Sequence, residues 1–400
     1  MPEKIRVTQL IHTYELDKGG GVTRAAIEIA QNLNPAQFQV SVCSLGASNS
    51  ENEQFWLTTL NKQGIRAYAA AQWDENHPYQ SFHKAYQAMK IDLSHHPVDI
   101  LHSHSEFTDI LLILLKLERK APIVIRTTHY GYAIEWRKRP LRRVLLTNFL
   151  YPLLLDCEIG VNPGLRDRLN NRRLARLLHR QALYVNEAVR LERFQGVQVN
   201  ISEKKRSLGI HPGETVIGCV GRLVEQKGYP YLIKAARLVL DQEPGVSFVF
   251  VGDGHLSSEL QSQAAGLGIL DKVIFTGARS DIEQILPCFD IFALASLWEG
   301  MPISILESMA SRIPVVATDV AGTRDLINPG INGLLVPPAD PISLSQAILS
   351  LINNPVLKQS LALTALETVQ QFSMGRVADR YSDLYHSLLI ADRSKEINGT

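Results

Sequence analysis

Short β-branched, apolar runs alternate with longer stretches of helical spacing through the first half of the chain. Ile5–Ile11 reads as a strand, a glycine turn is expected at Gly19, Gly20 and Gly21, and residues 22–31 have helical spacing. Residues 40–45, 98–101 and 123–126 read as further strands, the last two separated by a leucine-rich helix at 110–117. Such alternation predicts a largely parallel sheet covered on both faces.

After an irregular, charged stretch at 192–205 the cycle starts again. Strands are expected at 216–220, 246–251, 273–276, 290–295 and 315–317, with helices at 229–240, 256–265 and 302–311. Residues 343–389 carry helical patterns and no strand. Two α/β cycles of similar length predict two doubly wound, Rossmann-like domains facing a cleft, residues 1–195 and 196–372. The last stretch, 373–400, is expected to be a helix, for which packing on the second sheet and return to the first domain are both open.

Composition narrows the class. The 400 residues, 45% hydrophobic and 20% charged, are enough for two real cores and exclude disordered and fibrous chains. Cys43, Cys157, Cys219 and Cys288 are scattered with no CxxC, which argues against a disulfide framework or structural zinc and for a reducing compartment. The N-terminus reads as a strand rather than a signal peptide. The apolar run at 110–115 stops far short of the roughly 20 residues of a membrane span. The expected location is cytoplasmic, with peripheral attachment to a membrane as the alternative.

Net charge is only +1, yet residues 120–180 hold 13 Lys or Arg against 4 Asp or Glu, a local net of +9. The bland reading is a solvated helix face with arginine stems lying over apolar neighbours. The functional reading is a surface for anionic lipid headgroups or an acidic acceptor. No zinc finger, zipper or RNA-binding signature accompanies the charge, so nucleic acid is not expected as a partner.

Candidate chemistry concentrates in the second half. In VGRLVEQKG, Gly221 ends a strand, Arg222 and Lys227 project from the following loop, and Gly228 lets the backbone bend. Two cations at a strand's carboxyl end suit a diphosphate; alone they are equally well solvent-facing loop charges. In SLWEGMPISILESMA, Glu299 lies in a loop, Met301 follows it, and Pro302 suits the first turn of a helix. The free N–H groups of Ile303 and Ser304 then offer a seat for phosphate. Glu299 can accept hydrogen bonds from sugar hydroxyls, and Glu307 can reach a ribose diol or be an ordinary helix-surface acid. Gly322 permits close backbone approach and Thr323 supplies a hydroxyl; Asp319 and Asp325 read equally well as local turn residues. VFVGDGH, at 249–255, lacks GxGxxG spacing, so no dinucleotide fingerprint is present there.

In the first half, Gly20 and Gly21 fall near the expected cleft, and His102, His104 and His129 stand at strand ends. His102 and His104, two apart on an extended segment, are expected to point to opposite faces, so that at most one lines the cleft. The chain has no Asp-x-Asp and no converging ligand set, so no metal or other cofactor is expected.

In order along the chain, these motifs resemble the GT-B-fold retaining glycosyltransferases of family 4. The glycine-rich stretch at 19–21, Asp99-x-x-His102-x-His104, the Thr127 to His129 segment, Gly221-Arg222 with Lys227-Gly228, and the E-x7-E of Glu299 and Glu307 carry the resemblance. It implies that Arg222 and Lys227 neutralise the diphosphate leaving group and Glu307 holds the ribose. It implies that Glu299 and His104 contact the donor sugar, and that Gly20, Gly21, His129, Gly221, Met301, Pro302, Ile303, Ser304, Gly322 and Thr323 line the donor site. One departure stands out: many members carry N-G-[VI]-D before the second domain, whereas Asn186 is followed here by Glu187, Ala188 and Val189. The expected function is retaining transfer from a nucleotide-diphosphate sugar to a glycan, lipid-linked or small-alcohol acceptor. A phosphorylase, an epimerase and a non-catalytic nucleotide-binding scaffold are the rivals.

Overall fold

In a computed structural model, which describes residues 3–129 and 140–398, the chain divides into two compact units. The first comprises Met1–Glu187 together with Met374–Thr400, and the second Ala188–Ser373. Each is an all-parallel sheet wrapped by helices, the doubly wound α/β architecture that the sequence alternation predicts.

The first sheet contains β1 (Ile5–Ile11), β2 (Phe38–Ala47), β3 (Arg66–Gln72), β4 (Ile100–Ser103), β5 (Ile123–Thr128), β6 (Cys157–Gly160) and β7 (Leu183–Tyr184). Their order is β3-β2-β1-β4-β5-β6-β7. Val7 pairs with Val40 on one side and Ile100 on the other, so the strand order reverses at β1. Asp99, at the amino end of β4, accepts from the backbone and guanidinium of Arg6, each at 2.8 Å, and is a strand-to-strand clamp. The terminal helix Met374–Asn398 packs on this unit against the helix Leu16–Asn32, and its Tyr381 and Tyr385 are buried.

The second sheet contains β8 (Thr215–Val220), β9 (Val246–Val251), β10 (Val273–Phe275), β11 (Ile291–Leu294), β12 (Val315–Thr318) and β13 (Leu334–Val336), in the order β10-β9-β8-β11-β12-β13. Its central strands β8, β9, β11 and β12 are buried on both faces; Phe248, Phe250 and Phe292 are fully enclosed. Reversal here falls between β8 and β11, and that switch point is where open α/β sheets hold ligands, beyond the strands' carboxyl ends.

Two local expectations need correction. Gly19, Gly20 and Gly21 do not form a turn but lie within the helix Leu16–Asn32. Glycine costs about 1 kcal/mol in a helix, and here burial of Ala26, Ile27 and Ala30, with Thr23 donating to the Thr13 carbonyl at 3.1 Å, outweighs it. Pro302 is not in the first helical turn; it is the N-cap of the helix Ile303–Ala310, with extended φ −76° and ψ 104°.

Candidate active site

The loops after β8 and β11 are drawn together by backbone contacts that only glycine permits. Gly228 sits at φ +62°, where a Cβ would stand 2.0 Å from the Ala295 carbonyl oxygen. Leu297 donates its N–H to the Gln226 carbonyl at 2.8 Å. Gly322, in the short helix Ala321–Arg324, approaches so closely that a Cβ would stand 2.2 Å from the Gly300 oxygen. Three carboxyl-end loops are thus fixed against one another at the switch point.

Glu299 is the centre of this arrangement. Its Oε1 lies 2.6 Å from Lys227 Nζ and accepts from Ser296 Oγ at 2.6 Å, while Oε2 accepts from Gln226 Nε2 at 3.2 Å. The Glu299 side chain is only 5% exposed and that of Lys227 13%. Sequence reasoning missed Ser296 and Gln226; a serine three residues before a loop glutamate carries no distinctive signal. Arg222 is exposed and makes no ion pair with any described residue. Gly221 packs on the aliphatic stem of Lys227, a Cβ there meeting its Cε at 3.3 Å.

Glu307 is 6% exposed, so it is not a solvent-facing helix acid. Met301 and Pro302 are buried beside it, and Ile303 and Ser304 are half-buried at the helix start. Thr323 is fully buried: its hydroxyl donates to the Thr318 carbonyl at the end of β12, at 2.5 Å, and accepts from the Val320 N–H at 3.1 Å, a structural task rather than an open face. Asp319 pairs with Arg324 at 2.8 Å, a local contact.

In the first unit, His104 and His129 follow the carboxyl ends of β4 and β5. His102 and His104 share one face, with ring centroids 4.3 Å apart, because residues two apart on a strand point the same way. The expectation that they diverge is therefore wrong. His104 is 4% exposed with both ring nitrogens engaged, Nε2 at 2.8 Å from Gln9 Oε1 and Nδ1 at 3.1 Å from His129 Nε2. Burial holds its pKa well below the usual histidine value and pushes that of His102 down to about 3.

Part of the basic excess is internal. The guanidinium of Arg126 lies 2.6 Å from Asp109 and 4.2 Å above the Tyr151 ring, and Arg172 pairs with buried Glu158. Arg168, Arg173, Arg176 and Arg180, by contrast, are exposed. A continuous helical segment runs through Pro140–Leu145, a π-turn Leu146–Leu150 and Tyr151–Leu154. Pro152 supplies no N–H to the Asn148 carbonyl four residues back, consistent with the widened turn. Leu145, Phe149 and Leu153, spaced by four, are each about half exposed. The neighbouring helix Arg173–Leu177 adds exposed Leu177 with Arg173 and Arg176. The arginine-rich residues 137–139 lie outside the described residues. Among the described residues no group of three or more His, Cys, Asp or Glu is placed to hold a metal ion, and no helix is long and apolar enough to cross a membrane.

Comparison with known proteins gives these geometries their meaning. Residues 200–367 match the model of glycosyl transferases group 1, and residues 19–181 that of glycosyltransferase family 4. The protein is a GT-B-fold glycosyltransferase with a family 4 type N-terminal domain. The chain is 26% identical over 394 residues to the UDP-Gal:alpha-D-GlcNAc-diphosphoundecaprenol alpha-1,3-galactosyltransferase of Escherichia coli, covering 96% of this chain and 97% of that one. It is 29% identical to the alpha-monoglucosyldiacylglycerol synthase of Streptococcus pneumoniae, covering 80% of this chain and 72% of the relative. Among solved structures, Anabaena Alr3699/HepE in complex with UDP and glucose superposes with a TM-score of 0.78 at 20% identity, over 96% of this chain and all of that one. The enzyme accordingly moves a sugar from a nucleotide-diphosphate donor.

Proposed function

We propose that this glycosyltransferase retains the anomeric configuration of the donor, uses a uridine-diphosphate sugar, and glycosylates a lipid-linked acceptor at an anionic membrane surface, in glycan or glycolipid synthesis. The observation that carries the reading is the enclosed Lys227–Glu299 pair at the switch point of the second sheet. An ammonium has three donors; one meets Glu299 at 2.6 Å and the others remain for a diphosphate. Arg222, exposed and unpaired among described residues, supplies a second, bidentate cation from the same loop. Together with the helix start at Ile303 they stabilise the charge that grows on the departing diphosphate. Glu299, fixed by Ser296 and Gln226, presents a carboxylate to the sugar hydroxyls, and Glu307 holds the ribose.

A protein nucleophile is not part of this scheme. The acceptor attacks the face from which the diphosphate leaves, through a short-lived, oxocarbenium-like ion pair, and the diphosphate oxygen takes the acceptor proton. Uridine is supported by the complexes of HepE with UDP, and a lipid-linked acceptor by the two relatives named above. The exposed Leu145, Phe149 and Leu153 beside Arg173 and Arg176 fit a headgroup layer carrying negative charge. NMR of the product from an α-linked UDP-sugar with a lipid-linked acceptor tests the reading. An α-linked product supports retention, and a β-linked one overturns it.

A further inference from the structure

The departure from the family pattern at Asn186-Glu187 places a carboxylate where it meets the histidines of the first unit. Glu187 is 7% exposed, and its Oε1 lies 2.5 Å from His129 Nδ1. His129 Nε2 is 3.1 Å from His104 Nδ1, and His104 Nε2 is 2.8 Å from Gln9 Oε1. Gln9 donates from its amide nitrogen to the Tyr385 hydroxyl at 2.9 Å. That hydroxyl is 2.7 Å from His102 Nδ1, whose Nε2 is 2.7 Å from Thr127 Oγ1. Seven buried polar side chains therefore form one file from Glu187 to Thr127, with Tyr385 supplied by the terminal helix.

The direction of donation along the file follows from the inventory of each group. The Gln9 amide oxygen only accepts, so His104 donates from Nε2. Full burial keeps His104 neutral, which leaves its Nδ1 as an acceptor, and His129 must donate to it from Nε2. A carboxylate also only accepts, so His129 donates to Glu187 from Nδ1. On this inventory His129 donates from both ring nitrogens, to His104 and to Glu187. The charged and titratable groups around the pair are His104 and His102 from the β4 end, Tyr381 from the terminal helix, and Arg380, which donates to Asn186.

We propose that Glu187 is a positioning residue: it fixes His129 as a double donor and, through it, the ring orientation and tautomer of His104. The kinetic part rests on the contact of His104 with the donor sugar that the family resemblance implies; the proton assignment does not. An ordinary buried ion pair would need only charge balance, whereas this one sets the polarity of a whole hydrogen-bond file. Reversal of the Gln9 amide would instead leave every ring neutral, and the two cases are separable by experiment.

The test is ¹⁵N NMR of histidine-labelled full-length enzyme at neutral pH, with His129 assigned by His129→Asn, alongside kinetics of Glu187→Gln and Glu187→Asp. Both ring nitrogens of His129 should be protonated in the wild type and only one in Glu187→Gln. Transfer by Glu187→Gln should fall about tenfold in kcat with KM little changed, the worth of one charge-assisted hydrogen bond. Glu187→Asp should recover part of that loss. A wild-type His129 protonated at one nitrogen overturns the proton assignment, whatever the activity. A Glu187→Gln enzyme that keeps its fold by circular dichroism and also keeps its kcat overturns the positioning role. Failure of the wild type to transfer from any nucleotide sugar would instead count against the proposed function, leaving the NMR result intact.

Discussion

Lys227 Nζ lies 2.6 Å from Glu299 Oε1, joining loops that leave β8 and β11, strands adjacent in space but 72 residues apart at this contact. Both side chains are largely enclosed, so each depends on the other for compensation. Removing either partner strands a buried charge. Lys227→Met and Glu299→Gln should each cost stability, about 3 kcal/mol for the lysine change, while the double variant should lose less than the sum. Urea unfolding of the four proteins measures the coupling, and simple additivity would show that the pair is not an interacting unit.

Gly228 meets the Ala295 carbonyl at a positive φ, so Gly228→Ala faces both backbone strain and a 2.0 Å clash. A loss of about 2 kcal/mol or more is expected, with donor binding weakened because Lys227 is carried on the displaced loop. Calorimetry with and without UDP checks both effects. By contrast, Gly266→Ala, where no atom lies within 4 Å of the added Cβ, should be neutral or slightly stabilising.

Acid should destabilise the first unit through its buried histidines. His102 has its pKa pushed down to about 3, against a usual value of 6.5, so the unfolded chain takes up a proton that the folded one refuses. Its contribution is fully present above pH 6.5 and is lost progressively as pH falls towards 3. The His104 shift has the same sign. Unfolding temperatures measured from pH 7 to 4 should therefore fall less steeply for His102→Asn than for the wild type. Parallel curves would contradict this assignment.

Double substitution Leu145→Glu and Phe149→Glu should leave transfer to a water-soluble acceptor unchanged while abolishing cosedimentation with vesicles rich in phosphatidylglycerol. Both side chains are about half exposed, so folding should tolerate the change. Vesicle binding that persists at low salt would place the membrane contact elsewhere.

The sequence carried the two-sheet plan clearly because most strands are apolar runs bounded by polar turns. Those it did not reveal, β3, β6, β7 and β13, are alanine-rich or only two to four residues long, with little periodicity to detect. Arg222, Lys227, Glu299 and Glu307 were legible as candidates from spacing and the wording of their motifs, and the structure joins two of them, Lys227 and Glu299, at 2.6 Å. Gln226, Gln9 and Glu187 were not, since each acts through a partner brought close by a different strand or loop, and Ser296 was not because a serine near a loop glutamate carries no distinctive pattern. The glycine stretch at 19–21 misled for a related reason: its propensity favours a turn, but the helix packs through residues further along. Thr323 shows the converse, a motif residue whose hydroxyl is spent on the backbone.

Nucleotide release from UDP-sugars in the presence of EDTA, compared for the wild type, Arg222→Ala and Lys227→Ala, tests the cationic clamp most directly. The wild type should turn over without added metal, and each variant should lose about 100-fold or more in kcat. Variants that match the wild type with donor near saturation, or a wild type active only when a divalent cation is supplied, would contradict the account.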